Sequence, residues 1–409
     1  MHVDYLIVGG GIAGTSAADS IRQQAPSSTI IIVSEESYPL YGRLMLSKPG
    51  FVFNKIPLEA VFLKKVDWYA NNKIQLLTGK SVISIDAQAQ SVGLNDGAKI
   101  EYKKLLIASG LVPNKISVHG DSKSGIFYLR TLDDARNIIN WMGQAKSAVC
   151  IGGGLIGFEM CNIFRLANLK TTLIIQEPYY WANLLCATAG KIVEKYLEKN
   201  DVSIICNDVV AEFLGNDDLA TSIKTKNNQY IECDIAVVGI GARSSHDILK
   251  SAGIKTNRGV LADEYLQTNI PNIWTAGDCT EFYSVIHGEG IQLGNWTNAQ
   301  LQGKIAGLNM VGKNEVFKQV SFYSTHGFGL NIVLIGDVVI TSSKVAIARQ
   351  KNDTSYEQFT IKDNKVVGAV LFNYQEDISV IVKLISERID VSNNLKNLSN
   401  NEFDLKKLL

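Results

Sequence analysis

Two stretches of the chain repeat one hydrophobic pattern. Residues 4–18, DYLIVGGGIAGTSAA, and residues 147–161, SAVCIGGGLIGFEMC, each run from an apolar stretch through a Gly-x-Gly-x-x-Gly turn into apolar residues at helical spacing. A continuous apolar run marks a strand covered on both faces, and the rhythm after the turn belongs to a helix packed on it. One such turn is a weak signal, but two in the same strand–turn–helix context predict two nucleotide-binding βαβ units. The first continues as STIIIVSEE, a strand ending near Glu35, about 20 residues beyond the last glycine, as such a unit requires. The second continues as KTTLIIQE, ending near Glu177.

Further buried strands are predicted in KIEYKKLLIASG (99–110), CDIAVVGIGAR (233–243) and PNIWTAGDC (271–279), so one nucleotide domain is interrupted by the other. From about residue 320 the texture changes. YEQFTIKDNKVVGAVLF (356–372) holds two strand-like runs around Asp363-Asn364, a hairpin signal, followed by a helical pattern at Ile378, Ile381, Leu384 and Ile385. The predicted fold class is α/β, with two Rossmann-like dinucleotide-binding domains and a C-terminal α+β domain. The expected boundaries are 1–112 and 246–320 for the interrupted domain, 113–245 for the inserted one and 321–409 for the third. The tail, NNLKNLSNNEFDLKKLL, reads as a locally docked or frayed terminus.

Composition narrows the function classes. The chain has 409 residues, 46% of them hydrophobic, enough for the cores of more than one domain. Forty basic and forty acidic residues cancel, so no global field favours nucleic acid or an anionic membrane. The run Tyr5 to Val8 is too short for a signal peptide and no stretch reaches membrane-span length, which gives a cytoplasmic expectation. Six cysteines show no Cys-x-x-Cys pair or metal-ligand spacing. Cys150 and Cys206 sit in apolar runs, as buried thiols do. Five histidines without i, i+4 pairing give metal catalysis no support.

In the first motif, Gly9 permits the tight turn, Gly11 lets the backbone approach a pyrophosphate, and Gly14 allows close helix–strand packing, with Glu35 or its neighbour Glu36 on the ribose. The second supplies Gly152, Gly154 and Gly157, then Glu159 in the first helical turn, where ordinary helix-dipole chemistry also explains a carboxylate. Read without gaps, Ile175 holds the position expected of the ribose-binding acid, with Gln176 and Glu177 after it. No Arg or Lys follows to clamp a 2′-phosphate, so NADPH is disfavoured and NADH is favoured through Glu177. Two dinucleotide sites on one chain bring two nucleotides face to face, and the economical pair is FAD with a nicotinamide cofactor.

Four further segments carry a family resemblance. TAGDC with Asp278 resembles the second FAD fingerprint of pyridine-nucleotide-dependent flavin oxidoreductases, and IASG (107–110) resembles their Ala-Thr-Gly strand end. YGRLMLSK (41–48) and FYLRTLDDA (127–135) resemble the branch holding ferredoxin and rubredoxin reductases, the FAD module of NADH-dependent nitrite reductase and apoptosis-inducing-factor-like proteins. The resemblance implies that Asp278 binds the ribityl chain and that Arg43 and Lys48 lie against FAD. Lys48 would be ion-paired to Glu159 near the flavin N5 and nicotinamide C4, the catalytic pair. The implied cofactor contacts also take in Ile12, Ala13, Val82, Ala108, Ser109, Gly110, Arg130, Ile156, Gly241, Gly277, Trp296 and Thr297. NWTNAQLQG (295–303) resembles the segment whose helix N-terminus points at the flavin, and Thr297 with Gln300 forms a capping-box pattern. Where many ferredoxin reductases carry Phe-Trp-Ser-Asp-Gln, this chain has Phe322, Tyr323, Ser324, Thr325 and His326. Tyr323 keeps a stacking surface, and His326 fits a packed surface histidine as well as a proton donor.

No cysteine lies between Met1 and Ala148, so electrons from the flavin have no local disulfide to enter and must leave from the isoalloxazine. The implied function is hydride transfer from NADH to FAD, then electron transfer to a ferredoxin- or rubredoxin-type protein. Lys64, Lys65, Lys103, Lys104 and Lys344 are candidate contacts for an acidic carrier. The same resemblance admits an electron-input subunit of a nitrite or nitrate reductase system, a reductase of a small acceptor such as a quinone, and a flavin-dependent interaction protein switched by NADH.

Overall fold

The first apolar run forms the strand His2–Val8, inside a parallel sheet whose order is Ile74–Thr78, Ile30–Ser34, His2–Val8, Lys99–Ile107, with Ile273–Thr275 also paired to Lys99–Ile107. All five residues of Ile30–Ser34 are buried, which is why this strand shows no polar alternation. The antiparallel pair Val82–Asp86 and Ser91–Leu94 extends the same sheet. Helices Ile12–Gln24 and Trp296–Met310 pack backbone to backbone. A Cβ on Gly303 would lie 2.1 Å from the Ala13 carbonyl oxygen, and one on Gly307 would lie 2.6 Å from that of Ala17. Ile7, Ala17, Ile21, Leu106, Ala306 and Met310 fill this core, each large side chain stabilising the fold by about 1.5–3 kcal/mol.

In this computed structural model, residues 1–244, 247–352 and 354–409 are described. The chain divides into two compact units. The sheet above belongs to one, made of Met1–Gly42, Ile56–Val112 and Ala242–Ser321. The other comprises Arg43–Lys55, Pro113–Gly241 and Phe322–Leu409. The short stretch 43–55 therefore leaves the sequence of the first unit to fold with the second, and residues 113–241 share that unit with the C-terminal region. The expected boundary between residues 245 and 246 lies outside the described residues.

The second unit repeats the parallel architecture in the order Val202–Ile205, Lys170–Ile174, Ser147–Ile151, Ile235–Val238, Ile126–Phe127. A three-stranded antiparallel sheet, Val210–Leu214, Ser222–Thr225 and Tyr230–Glu232, adjoins it in sequence. The C-terminal sheet is antiparallel, ordered Phe322–Gly327, Leu330–Gly336, Lys365–Phe372, Tyr356–Lys362, Val345–Gln350. Its hairpin turns at Asp363 and Asn364, both at positive φ (49° and 58°), as a two-residue turn matched to strand twist demands. Helix Ile378–Ser386 buries Val380, Ile381, Leu384 and Ile385.

The tail is docked. Leu398 and Leu405 are fully buried, and Arg349 donates to the carbonyls of Asn400 and Phe403. Arg349 itself is buried, with Nε 2.6 Å from Glu357 and Nη2 2.6 Å from Asp377. Burial pushes the Glu357 carboxyl up to about 7, against the opposing pull of Arg349. Among the described residues, no helix is long and apolar enough to cross a membrane.

Candidate functional site

Both glycine turns are built by one geometric rule. Gly9 has φ +117°, and a Cβ there would meet the Ala108 carbonyl oxygen at 2.1 Å. Gly152 has φ +102°, and its Cβ would meet the Gly239 carbonyl oxygen at 2.4 Å. Gly14 sits over the Gly9 carbonyl (2.0 Å to a Cβ) and Gly157 over that of Gly152 (2.1 Å). These four glycines let strand, turn and helix touch. The middle glycines differ: a Cβ on Gly11 would meet nothing within 4 Å, and one on Gly154 only the Gly239 oxygen at 3.7 Å. Gly11 and Gly154 are also the N-caps of the helices Ile12–Gln24 and Leu155–Leu166, and neither has a side chain to cap with. Open space beside uncapped helix N–H groups is a cradle for a pyrophosphate, so both turns fit a bound dinucleotide.

The strand registers relocate one expectation. Val8 pairs with Val33, and Ile151 pairs with Ile174. Ser34 therefore corresponds to Ile175, Glu35 to Gln176, and Glu36 to Glu177. The glycines agree: a Cβ on Gly10 would strike Ser34, and one on Gly153 would strike Ile175, each within 3 Å. Ile175 is buried, 1% exposed, and stands at the position of Ser34. Exposed Gln176 stands at the position of Glu35. In the first unit Glu35 is exposed, while Glu36 receives the Tyr41 hydroxyl, which leaves Glu35 the better placed of the two.

Lys48 and Glu159 are brought together, Nζ to Oε1 at 2.7 Å. Glu159 is 5% exposed and lies five residues into its helix, so the helix dipole at the first turn does not account for it. Its carboxylate is held by side-chain donors. Oε1 also accepts from Thr325 Oγ1 at 2.7 Å and Tyr323 Oη at 3.2 Å, and Oε2 accepts from Ser47 Oγ. Burial first, then the Glu159 charge, push the Tyr323 phenol well above its ordinary range, so it stays protonated and donates. Tyr323 thus serves this cluster through its hydroxyl, where sequence reasoning gave it a stacking face. Ser47 and Thr325 received no role from sequence. His326 is exposed on the opposite side of the strand.

Arg43 donates from Nη1 to the carbonyl of Arg130. Arg130 precedes Thr131, which caps helix Leu132–Met142 with Asp134 in a reciprocal capping box, a Thr-x-x-Asp signal readable in the sequence. In the first unit, Asp278 follows the strand Ile273–Thr275, next to Gly277 at φ +90°. The cap of helix Trp296–Met310 is Asn295, whose side chain accepts from the Asn298 N–H. The Thr297–Gln300 box does not form, because Asn295 at an extended backbone is the stronger cap two residues earlier. Trp296 is half-buried at the first helical position, and Thr297 is exposed. Ala108 is buried, Ser109 exposed, and Gly110 at φ +68°. Ala13 is buried against Gly277 and Gly303, and Ile12, Ile156 and Val82 are half-buried. Gly241 is exposed at φ +91°.

Four of the five candidate docking lysines have internal partners. Lys103 pairs with Asp4 at 2.7 Å, Lys344 with Asp337 at 2.5 Å and Lys64 with Asp19 at 4.0 Å, while Lys104 donates to the Met310 carbonyl. All six cysteines are unpaired. Burial pushes the thiols of Cys150, Cys279 and Cys233 up, and that of half-buried Cys206 as well. Among the described residues, no cluster of His, Cys, Asp and Glu suits a metal ion.

The family model described as pyridine nucleotide-disulphide oxidoreductase matches residues 3–303, and the rubredoxin NAD+ reductase C-terminal domain matches 325–389. The nitrite reductase [NAD(P)H] of Bacillus subtilis is 29% identical over 96% of this chain, which spans only 48% of that protein. The NADH-rubredoxin oxidoreductase of Clostridium acetobutylicum is 28% identical over 96% of both chains. In fold, the chain superposes on putidaredoxin reductase, solved in covalent complex with putidaredoxin, with a TM-score of 0.91 at 24% identity over 99% of this chain and 98% of that one.

Proposed function

The chain belongs to the pyridine nucleotide-disulphide oxidoreductase family, and from that premise we propose that it is an FAD-dependent NADH oxidoreductase that works without a redox disulfide and delivers electrons to a small iron–sulfur or rubredoxin-type protein. The observation that carries this reading is the Lys48–Glu159 pair at 2.7 Å, with Lys48 in a segment that has no cysteine between Met1 and Ala148. That segment offers no thiol to take electrons from the flavin. The rubredoxin-reductase C-terminal match and the clostridial NADH-rubredoxin oxidoreductase support the choice of acceptor.

Gly9, Gly11 and Gly14 would hold the FAD pyrophosphate and Glu35 its ribose; Gly152, Gly154 and Gly157 would hold NADH, with Gln176 at its ribose. Asp278, Arg43, Arg130 and Trp296 are further proposed FAD contacts. When bound, FAD supplies the redox chemistry, taking a hydride from NADH and giving electrons out singly. The chain's contribution is positional. Lys48 presents a cation whose charge is balanced by Glu159, so the pair orients polar groups of the reactants without leaving net charge in a half-buried site. Four donors on Glu159 fix it against rotation. A cytoplasmic site of action is part of the same proposal, supported by the six unpaired thiols.

Stopped-flow mixing of NADH with the flavin-loaded protein tests the reading. Rapid loss of the flavin absorbance, followed by recovery on adding oxidised rubredoxin or ferredoxin, is expected. Slow bleaching with a persistent long-wavelength band would instead indicate a nucleotide-controlled switch. The 48% span of the nitrite reductase favours a second reading, an electron-input module for a larger reductase. Reoxidation only by a partner reductase subunit, with small carriers inert, would select it.

A further inference from the structure

Thr325 differs in kind from the other donors on Glu159. Its Oγ1 lies 2.7 Å from Glu159 Oε1 and 3.5 Å from Lys48 Nζ, and the residue is 3% exposed. A hydroxyl has one proton to give and lone pairs to offer. Given to the carboxylate, that proton leaves the lone pairs facing the ammonium, so one side chain closes a ring over both members of the ion pair. Ser47 reaches the carboxylate's other oxygen, and Tyr323 reaches Oε1 and the Thr325 hydroxyl, while Lys48 donates to Thr325.

The backbone holds Thr325 there. Along Phe322–Gly327 the side chains alternate. Phe322, Ser324 and His326 are exposed, whereas Tyr323, Thr325 and Gly327 turn toward helix Leu155–Leu166. Register is fixed on one side by Thr325 opposite Ile332. On the other, Gly327 lies so close to Phe158 that a Cβ would come within 2.8 Å of its ring, and the Phe328 N–H donates to Asn162 Oδ1 at 3.1 Å. A one-residue slip would replace Thr325 with an exposed-face residue.

We propose that Thr325 is a positioning residue for hydride transfer, acting through the Lys48–Glu159 pair by bridging its two members. The inference rests on the reductase reading above, because a pair that touches no reactants would need no alignment. A mere packing role is met equally by valine, which has the same shape. A bridging role is met only by a hydroxyl.

The test is single-turnover reduction of the flavin-loaded protein by NADH in wild type, Thr325→Val, Thr325→Ser and Thr325→Ala. Thr325→Val is expected to lower the limiting reduction rate about tenfold while the apparent NADH dissociation constant moves less than twofold. Thr325→Ser is expected to return to within about threefold of wild type, and Thr325→Ala to follow Val. Reduction by dithionite should be the same in all four. Equal rates for Val and wild type, or Ser as slow as Val, would overturn the inference. If Val fails to load flavin, the Ser and Ala comparison decides by the same criterion. A wild-type protein that NADH does not bleach would remove the reductase reading itself, which is a separate outcome.

Discussion

A single methyl group separates two roles that the glycine turns combine. At Gly11 a Cβ meets nothing within 4 Å, so Gly11→Ala is expected to fold with an unchanged melting midpoint without cofactor yet to bind FAD at least tenfold more weakly by titration. At Gly14 the same atom lies 2.0 Å from the Gly9 carbonyl oxygen, so Gly14→Ala is expected to lose about 1–3 kcal/mol in denaturant unfolding before any cofactor is added. Gly9 and Gly14 were readable from the sequence because a positive φ at Gly9 and a close backbone approach at both admit only glycine, and Gly11 through its spacing from them. Lys48 and Glu159 were readable through resemblance. Ser47 and Thr325 were not, since hydroxyl residues are common everywhere and their partner is fixed by where a distant strand lies against helix Leu155–Leu166. The internal partners of Lys103 and Lys104 were hidden for the same reason, as the Asp4 carboxylate and the Met310 carbonyl are remote in sequence.

Elements carry information that single residues do not. The strand pairing that sets Gln176 at the position of Glu35 leads to a prediction for the proposed NADH site: Gln176→Glu is expected to tighten NADH about tenfold and to raise its advantage over NADPH, measured by equilibrium titration of both. No change in either affinity would remove Gln176 from the site. Strand existence and the Asp363-Asn364 hairpin followed from periodicity and turn chemistry, whereas the cap at Asn295 did not, because two polar residues competed for the same helix start. The buried Arg349 between two strands and a helix predicts a pH effect. The Glu357 carboxyl, near 4.5 when unfolded, is raised to about 7 in the fold. Between those values the folded state binds more protons, so stability falls as pH rises through about 4.5 to 7. Glu357→Gln lacks this loss, and its melting midpoint is expected to gain on wild type across that window, by roughly 2–4 °C, and to gain no more above it.

At the scale of the whole molecule, the chain passes between its two units five times, at 42/43, 55/56, 112/113, 241/242 and 321/322. The repeated Gly-x-Gly-x-x-Gly pattern announced two nucleotide folds and their nesting, yet nothing in periodicity told that residues 43–55 fold with the later half. The first unit needs Ile273–Thr275 to pair with Lys99–Ile107 and helix Trp296–Met310 to cover Ala13 and Ala17. A fragment of residues 1–241 is therefore expected to bind an apolar-surface dye and to hold no flavin, whereas residues 1–321 should restore the flavin-type fold. Flavin retained by the shorter fragment would contradict this.

The excursion of residues 43–55 has a practical meaning for anyone recombining chains of this family. A chimera spliced at the obvious seam would import Ser47 and Lys48 from one parent and Glu159 and Thr325 from the other, mixing two halves of a matched set. Crossovers placed at all five passages, so that 43–55, 113–241 and 322–409 come from one parent, keep the four together, and libraries built with those breakpoints should yield a larger share of working offspring.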